Sequence, residues 1–88
     1  MKEITLFMME TCPFCQQAFR WMDEVVTEHP EYRTIPVRRI DERFDADYAN
    51  QFDYYLVPTF YIDGEKVHEG IASKKIIESI YQKAYRGL

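Results

Sequence analysis

The feature that most constrains the fold is a change of hydrophobic period near the start of the chain. Residues 3–8 are apolar on both alternating sets, which predicts a central strand covered on both faces. From Pro13 to about Glu28 the apolar residues are spaced by three and four, as on one buried face of a helix. A second strand pattern covers residues 34–40. A strand, a helix and a strand in this order predict a parallel pair with a right-handed crossover, and therefore an α/β fold.

Two residues shape the prediction around the second strand. Pro36 lies inside that strand and cannot donate a backbone hydrogen bond, so we expect the strand at an edge of the sheet. Asp41 follows the strand and is a candidate helix cap, because Phe44, Tyr48 and Phe52 come after it at a spacing of four. We therefore expect a second helix that begins at Asp41.

The rest of the chain predicts a hairpin and a final helix. Asp63-Gly64 separates two short strand-like runs, which is a strong hairpin signal. Ser73 is a candidate cap for the last helix. The expected inner residues of that helix are Ile76, Ile77, Ile80 and Ala84. The predicted order is β-α-β-α-β-β-α, a four-stranded mixed sheet with helices on both faces, and 88 residues without an internal linker predict one domain, residues 1–88.

Composition and charge exclude several classes of protein. Hydrophobic residues make up 47% of the chain and charged residues 30%, which is typical of a globular domain and excludes a disordered one. The longest apolar stretch, residues 6–9, is too short to span a membrane. A net charge of −4 opposes binding to nucleic acid or anionic lipid. The first residues lack the pattern of a secretory signal, so we expect a cytoplasmic protein. We also expect the protein to act as a monomer.

The chemistry-bearing segment is Cys12-Pro13-Phe14-Cys15, which follows the buried strand and opens the first helix. Cys12 would lie among the unpaired N–H groups at the positive end of the helix dipole, which favours the thiolate. Only the thiolate attacks disulfides. Cys15 would lie one turn further in, on the apolar face, where it is suited to attack a mixed disulfide from inside. This arrangement favours thiol–disulfide exchange.

Three other interpretations of the cysteines remain open. A structural disulfide closing so short a loop would contribute only about 2 kcal/mol through chain entropy. A zinc site with Cys12, Cys15 and His29 has a finger-like spacing, but a second histidine three to five residues later is missing and His68 is far along the chain. Two unrelated core cysteines are the third interpretation.

Three segments, in order, resemble the thioredoxin/glutaredoxin superfamily. Residues 10–15 resemble the dithiol glutaredoxin site, with Phe14 where that family usually has Tyr. Val57-Pro58-Thr59 resembles the loop that carries a cis-proline beside the cysteines. Residues 60–70 resemble the thioredoxin C-terminal hairpin and the glycine after it. The resemblance covers nearly the whole chain and implies a thioredoxin-like fold.

The resemblance also implies a function. We expect a thiol–disulfide oxidoreductase that reduces protein or small-molecule disulfides through a Cys12/Cys15 dithiol–disulfide cycle, in electron transport and cell redox homeostasis. Cys12 would be the nucleophile and Cys15 the resolving cysteine. Phe14, Val57 and Pro58 would contact substrate, Val57 through its backbone and Pro58 in the cis form. No metal and no bound cofactor are implied.

The electron donor is expected to be a flavoprotein of the thioredoxin-reductase type or glutathione. Met9 stands where glutaredoxins usually carry Lys or Arg, and Ile71-Ala72 stands where they usually carry small residues that help bind glutathione. These departures favour the flavoprotein. The alternative from another class is a non-enzymatic binding module, either zinc-bound or docking peptides at the Val57-Pro58 edge.

Overall fold

The computed structural model, which describes residues 1–87, contains a four-stranded mixed sheet. Strands β1 (Ile4–Met8), β2 (Val37–Asp41), β3 (Thr59–Ile62) and β4 (Glu65–Glu69) are arranged in the order β2-β1-β3-β4. β1 runs parallel to β2 and antiparallel to β3, which in turn pairs antiparallel with β4. The predicted fold class and the edge position of the second strand are confirmed.

Two long helices cover one face of this sheet. Helix α1 (Pro13–Glu28) and helix α3 (Lys74–Arg86) pack on what we call the helical face. Its core is mostly aliphatic. The largest fully buried members are Ile4, Leu6, Met22, Val25, Phe60 and Ile77.

The opposite face, which we call the aromatic face, carries the short helix α2 (Ala46–Ala49). Its buried centre is Phe7, which alternates along β1 with the residues that point to the helical face. The residues packed around Phe7 are Ile40, Tyr48, Ala49, Phe52, Tyr54 and Tyr61. Helices therefore lie on both faces, as predicted, but they differ greatly in length.

The ends of the long helices follow the sequence signals. Pro13 occupies the first turn of α1, where its missing N–H has no partner to lose, and the helix ends at Glu28, with His29 as its C-cap residue. Ser73 caps α3, and its hydroxyl accepts a hydrogen bond from the Ile76 N–H at 3.2 Å. Ile77, Ile80 and Ala84 are buried as predicted, and Tyr81 is buried with them. Ile76 is only partly buried, but it packs against the same core. Within residues 1–87, no helix is long and apolar enough to cross a membrane.

The hairpin and the second strand were predicted with different accuracy. Asp63 and Gly64 both have positive φ, 48° and 82°, as a two-residue hairpin turn with the right-handed strand twist requires. The second strand begins at Val37 rather than residue 34, because residues 30–34 form a 3-10 helix instead. Pro36 lies just before the strand, where its carbonyl accepts a hydrogen bond from the Ile4 N–H at 2.9 Å.

The prediction of a helix capped by Asp41 was wrong. Asp41 is the last residue of β2, and α2 spans only four residues that begin at Ala46. The Asp41 carboxylate accepts hydrogen bonds from the backbone N–H groups of Glu10 and Arg43. The Asp41 carbonyl accepts those of Phe44 and Asp45, so Asp41 opens only a single turn, which does not continue as a helix. Phe44 is consequently 76% exposed in the loop.

The strand directions bring four loops to one edge of the sheet. β1 and β2 end there, β3 begins there, and β4 ends there. The loops are residues 9–12, 42–45, 53–58 and 70–73. We call this side the cysteine edge, because the first of these loops leads into the cysteine pair.

Candidate active site

The two cysteines occupy contrasting positions in the first turn of α1. Cys12 is the N-cap residue and is partly exposed, and its carbonyl accepts the first helical hydrogen bond, from the Gln16 N–H at 2.9 Å. Cys15 is completely buried in the core of the helical face. Both are free thiols, and their sulfurs are not at disulfide distance. The structure thus represents the dithiol state.

The surroundings of Cys12 favour its thiolate. Burial acts to raise the pKa of the Cys12 thiol, but the backbone N–H groups of Cys15 and Phe14 and the thiol of Cys15 act in the opposite direction and prevail. The pKa of Cys12 is therefore lowered. These N–H groups belong to the first helical turn and have no partner within the helix, so they are free to bind an anion.

The surroundings of Cys15 have the opposite effect. Burial raises the pKa of the Cys15 thiol to about 12, and the neighbouring Cys12 adds to the increase. Cys15 is therefore held as a protonated thiol at neutral pH, with no path for a large reagent to reach it from the solvent. One helical turn thus provides an accessible nucleophile and a protected thiol behind it.

The loop before β3 carries the predicted cis-proline. The Val57–Pro58 peptide bond is cis, which confirms the expectation drawn from the resemblance. Pro58 is fully buried, and its carbonyl accepts a hydrogen bond from the Gly70 N–H at 2.8 Å. Val57 packs, as Cys12 does, against the core that contains Cys15. We call residues 53–58 the docking loop.

Asp41 fastens the loop that leads to Cys12, a role that the sequence analysis missed. Its carboxylate accepts the N–H of Glu10 at 3.1 Å and pairs with the guanidinium of Arg43, with N–O distances of 2.8 and 3.1 Å. The Arg43 guanidinium also reaches the hydroxyl of Thr11 at 3.2 Å. The Arg43 guanidinium holds the pKa of Asp41 well below its usual range, so this carboxylate stays ionised.

Glu69 fastens the docking loop from the other edge strand, and it too was missed. Its carboxylate accepts the backbone N–H groups of Tyr55 and Leu56. Its other oxygen pairs with the ammonium of Lys66 at 2.7 Å, and that pairing is the main cause that lowers the pKa of Glu69 to about 2. No local sequence pattern marks either residue as one that anchors a loop.

Exposed apolar side chains surround the cysteine edge. Phe14 is 48% exposed and Tyr55 is 91% exposed. The large apolar residues that are exposed on this side are Phe14, Phe44, Tyr55, Leu56 and Ile71. Of the predicted site residues, Cys12, Phe14 and Val57 are thus accessible at least in part, whereas Cys15 and Pro58 are buried.

His29 is not placed near the cysteines. It follows Glu28 at the far end of the sixteen-residue helix α1, and a helix of that length spans about 24 Å. Its Nε2 atom lies 3.6 Å from a carboxylate oxygen of Glu78 instead. The zinc site considered from the spacing of Cys12, Cys15 and His29 is therefore not assembled by this fold.

Comparisons with known proteins agree with this geometry. The chain is 29% identical over 82 residues to a thioredoxin from Methanocaldococcus jannaschii, which covers 92% of this chain and 94% of the relative. Oxidised thioredoxin from Plasmodium falciparum superposes with a TM-score of 0.71 at 19% identity, covering 93% of this chain and 79% of that one. A thioredoxin-like protein from Clostridium perfringens gives a TM-score of 0.68 at 27% identity, covering 96% and 71%. The glutaredoxin family model matches residues 4–67, most of the chain, so this protein belongs to the glutaredoxin family.

Proposed function

We propose that this protein is a thiol–disulfide oxidoreductase that reduces disulfides in other proteins. The observation that carries the proposal is that one helical turn shifts the pKa values of its two thiols in opposite directions. The pKa of accessible Cys12 is lowered, and that of buried Cys15 is raised to about 12. A nucleophilic thiol must be ionised and accessible to substrate, whereas a resolving thiol must stay unreactive until the mixed disulfide has formed.

The reaction proceeds in two exchange steps. The Cys12 thiolate attacks one sulfur of the substrate disulfide, forming a Cys12–substrate mixed disulfide and releasing the other substrate sulfur as a thiolate, which takes up a proton. Cys15 then loses its proton and attacks the Cys12 sulfur, which releases the second substrate thiolate and leaves a Cys12–Cys15 disulfide. The second substrate thiolate takes up the proton that Cys15 loses. The substrate thus gains two electrons and two protons: both electrons and one proton come from the protein, and the other proton, which Cys12 released when it ionised, comes from the solvent.

The apolar surface at the cysteine edge supports protein substrates. Phe14 adjoins the nucleophile in sequence, and Tyr55 and Leu56 lead directly into the Val57–Pro58 step. Exposed aromatic and aliphatic groups bind apolar side chains of a polypeptide more effectively than they bind a small charged molecule. Val57 and Pro58 are proposed to contact the substrate backbone, and the protein is proposed to act as a monomer in the cytoplasm.

The proposed electron donor is a flavoprotein of the thioredoxin-reductase type. Met9 supplies no charge for a glutathione carboxylate. The nearby Arg43 is bound to Asp41, which neutralises its charge. Each charge-assisted contact that is missing weakens binding by roughly 1.5 to 3 kcal/mol, which corresponds to at least tenfold in affinity.

A coupled assay tests both parts of the proposal. NADPH consumption is followed with a protein disulfide as substrate, once with a thioredoxin reductase and once with glutathione plus glutathione reductase. We expect turnover with the first donor, and none with Cys12→Ser. The Cys15→Ser variant should accumulate mixed disulfides, because it completes only the first step. Efficient turnover in the glutathione-coupled assay and none with thioredoxin reductase would reject the flavoprotein as donor. Turnover by Cys12→Ser would reject the mechanism.

A further inference from the structure

Each of the two edge strands ends in an acidic residue whose carboxylate binds backbone N–H groups of a neighbouring loop. One of these loops, residues 9–12, leads to Cys12, and the other is the docking loop. Asp41 closes β2 and Glu69 closes β4. We propose that Asp41 positions the loop of the nucleophile, and so sets the reactivity of Cys12 toward any disulfide, whereas Glu69 positions the docking loop, and so sets the preference for protein substrates. This inference rests on the proposed function and assigns two positioning residues to it.

Asp41 makes contacts directly ahead of the nucleophile. It is only 8% exposed and lies opposite Met8 in the register of β1 and β2. It binds the N–H of Glu10, two residues before Cys12, and it holds the guanidinium that reaches the Thr11 hydroxyl. The loop is therefore bound at two consecutive residues immediately before Cys12.

Glu69 makes the equivalent contacts on the other side of the sheet. It binds two consecutive N–H groups of the docking loop, at Tyr55 and Leu56. Its partner Lys66 also donates to the Asp53 carbonyl at 3.2 Å, which fixes the beginning of the same loop. The backbone is held while the apolar side chains of Tyr55 and Leu56 point outward and remain exposed.

The two loops serve different steps, so losing each anchor has a different consequence. A nucleophile displaced by even about 1 Å reacts more slowly with every substrate, large or small. A docking loop that has lost its anchor must be ordered when substrate binds, which weakens binding only for a substrate that contacts it. Charge-assisted hydrogen bonds to backbone N–H groups are strong enough to provide this order without any packing of the exposed side chains.

The test uses two variants and two matched controls. Asp41→Asn and Glu69→Gln keep the shape of each side chain and remove its charge. Asp45→Asn removes the same charge from a nearby exposed residue whose side chain forms no capping hydrogen bond within residues 1–87, and Glu65→Gln does so at the exposed start of β4. Each protein is assayed with insulin, a protein disulfide, and with a small aryl disulfide that releases a coloured thiolate.

We expect a different pattern for each variant. In Asp41→Asn the rates with both substrates fall about tenfold, and their ratio stays within about twofold. In Glu69→Gln the KM for insulin rises about tenfold, and the ratio of the insulin rate to the small-disulfide rate falls by the same factor. The proposal is overturned if either variant behaves like its control, or if Glu69→Gln slows both substrates equally.

Hydrogen exchange separates this inference from the proposed function. Exchange of the Glu10 amide should accelerate only in Asp41→Asn, and exchange of the Leu56 amide only in Glu69→Gln, whether or not the wild type reduces either disulfide. Because Asp41 is buried, Arg43→Met serves as a second variant if Asp41→Asn does not fold. It leaves the Asp41–Glu10 bond in place and should lower both rates by a smaller factor, and unchanged rates would count against the role of the pair.

Discussion

The two faces of the sheet are built in different ways. On the helical face, α1 and α3 cover a largely aliphatic core that includes the buried thiol of Cys15. On the aromatic face, a four-residue helix covers little, and four aromatic rings pack around that of Phe7. Large rings compensate for the missing helix because each buries more apolar surface than an aliphatic side chain does.

The aromatic face also contributes something that the aliphatic core cannot. The Tyr61 hydroxyl donates to the carbonyl of Asp53 at 2.8 Å, at the start of the docking loop. The Tyr54 hydroxyl, also within that loop, donates to the carboxylate of Glu42 at 2.8 Å. The helical face therefore provides the dry environment of the Cys15 thiol, which we propose to be the resolving thiol, while the aromatic face holds the surface on which we propose that substrate docks.

The largest expected effect concerns the interior of the helical face. Reduced protein treated with iodoacetamide at neutral pH should be labelled at Cys12 at least about a hundredfold faster than at Cys15. The pKa of Cys15 is about 12 instead of 9.0, so its thiolate is about a thousandfold scarcer than that of an ordinary thiol, and the greater nucleophilicity of a more basic thiolate offsets only part of this. Mass spectrometry of the labelled peptides measures the ratio, and earlier labelling of Cys15 would show that its thiol is not protected.

The next effect compares truncation on the two faces. Phe7→Ala should lower the free energy of unfolding by about 3–5 kcal/mol and Leu6→Ala by about 2–5 kcal/mol, since both side chains are fully buried. Only Phe7 stacks on Tyr54, with 4.9 Å between ring centroids, so only its truncation should accelerate hydrogen exchange in the docking loop beyond the change in global stability. Urea unfolding and exchange measure the two quantities. Equal exchange in both variants would remove the distinction between the faces.

The sequence predicted the helical face better than the aromatic face, for a physical reason. The period of α1, its proline at the start and the serine cap of α3 are local signals, and the structure confirms them. The spacing of Phe44, Tyr48 and Phe52 is also local, but it predicted too long a helix. Asp41 binds the backbone of Glu10, 31 residues away, and a contact at that separation leaves no local pattern.

The same division applies to the site. The cysteine pair and the Val57-Pro58 step could be recognised because each is a short motif with a fixed spelling. Asp41 and Glu69 could not, because their role depends on which strand lies at which edge and on where the neighbouring loop turns. Glu69 is the last residue of β4, and no motif in the sequence marks that position.

A pH titration tests the burial of Cys15 through stability. Because the folded state raises the pKa of Cys15 from 9.0 to about 12, the unfolded state releases the proton first, and the reduced protein should lose stability as pH rises from about 9 to about 12. Below that window the thiol is protonated in both states and contributes no slope. Urea unfolding of reduced wild type and of Cys15→Ser, compared across the window, separates the contribution of this thiol from that of every other group, and parallel curves would contradict its burial.

The smallest effect tests the hydroxyl that links the aromatic face to the docking loop. Tyr61→Phe keeps the ring that packs at 5.5 Å from Phe7 and removes only the hydrogen bond to the Asp53 carbonyl. That carbonyl still accepts from Lys66, so the loss of unfolding free energy should lie at the lower end of about 0.5–1.5 kcal/mol. Tyr48→Phe, on the same face, is the matched control. Exchange of the amides of the docking loop should accelerate in Tyr61→Phe and not in Tyr48→Phe, and equal exchange in the two variants would mean that the aromatic face supports the loop by packing alone.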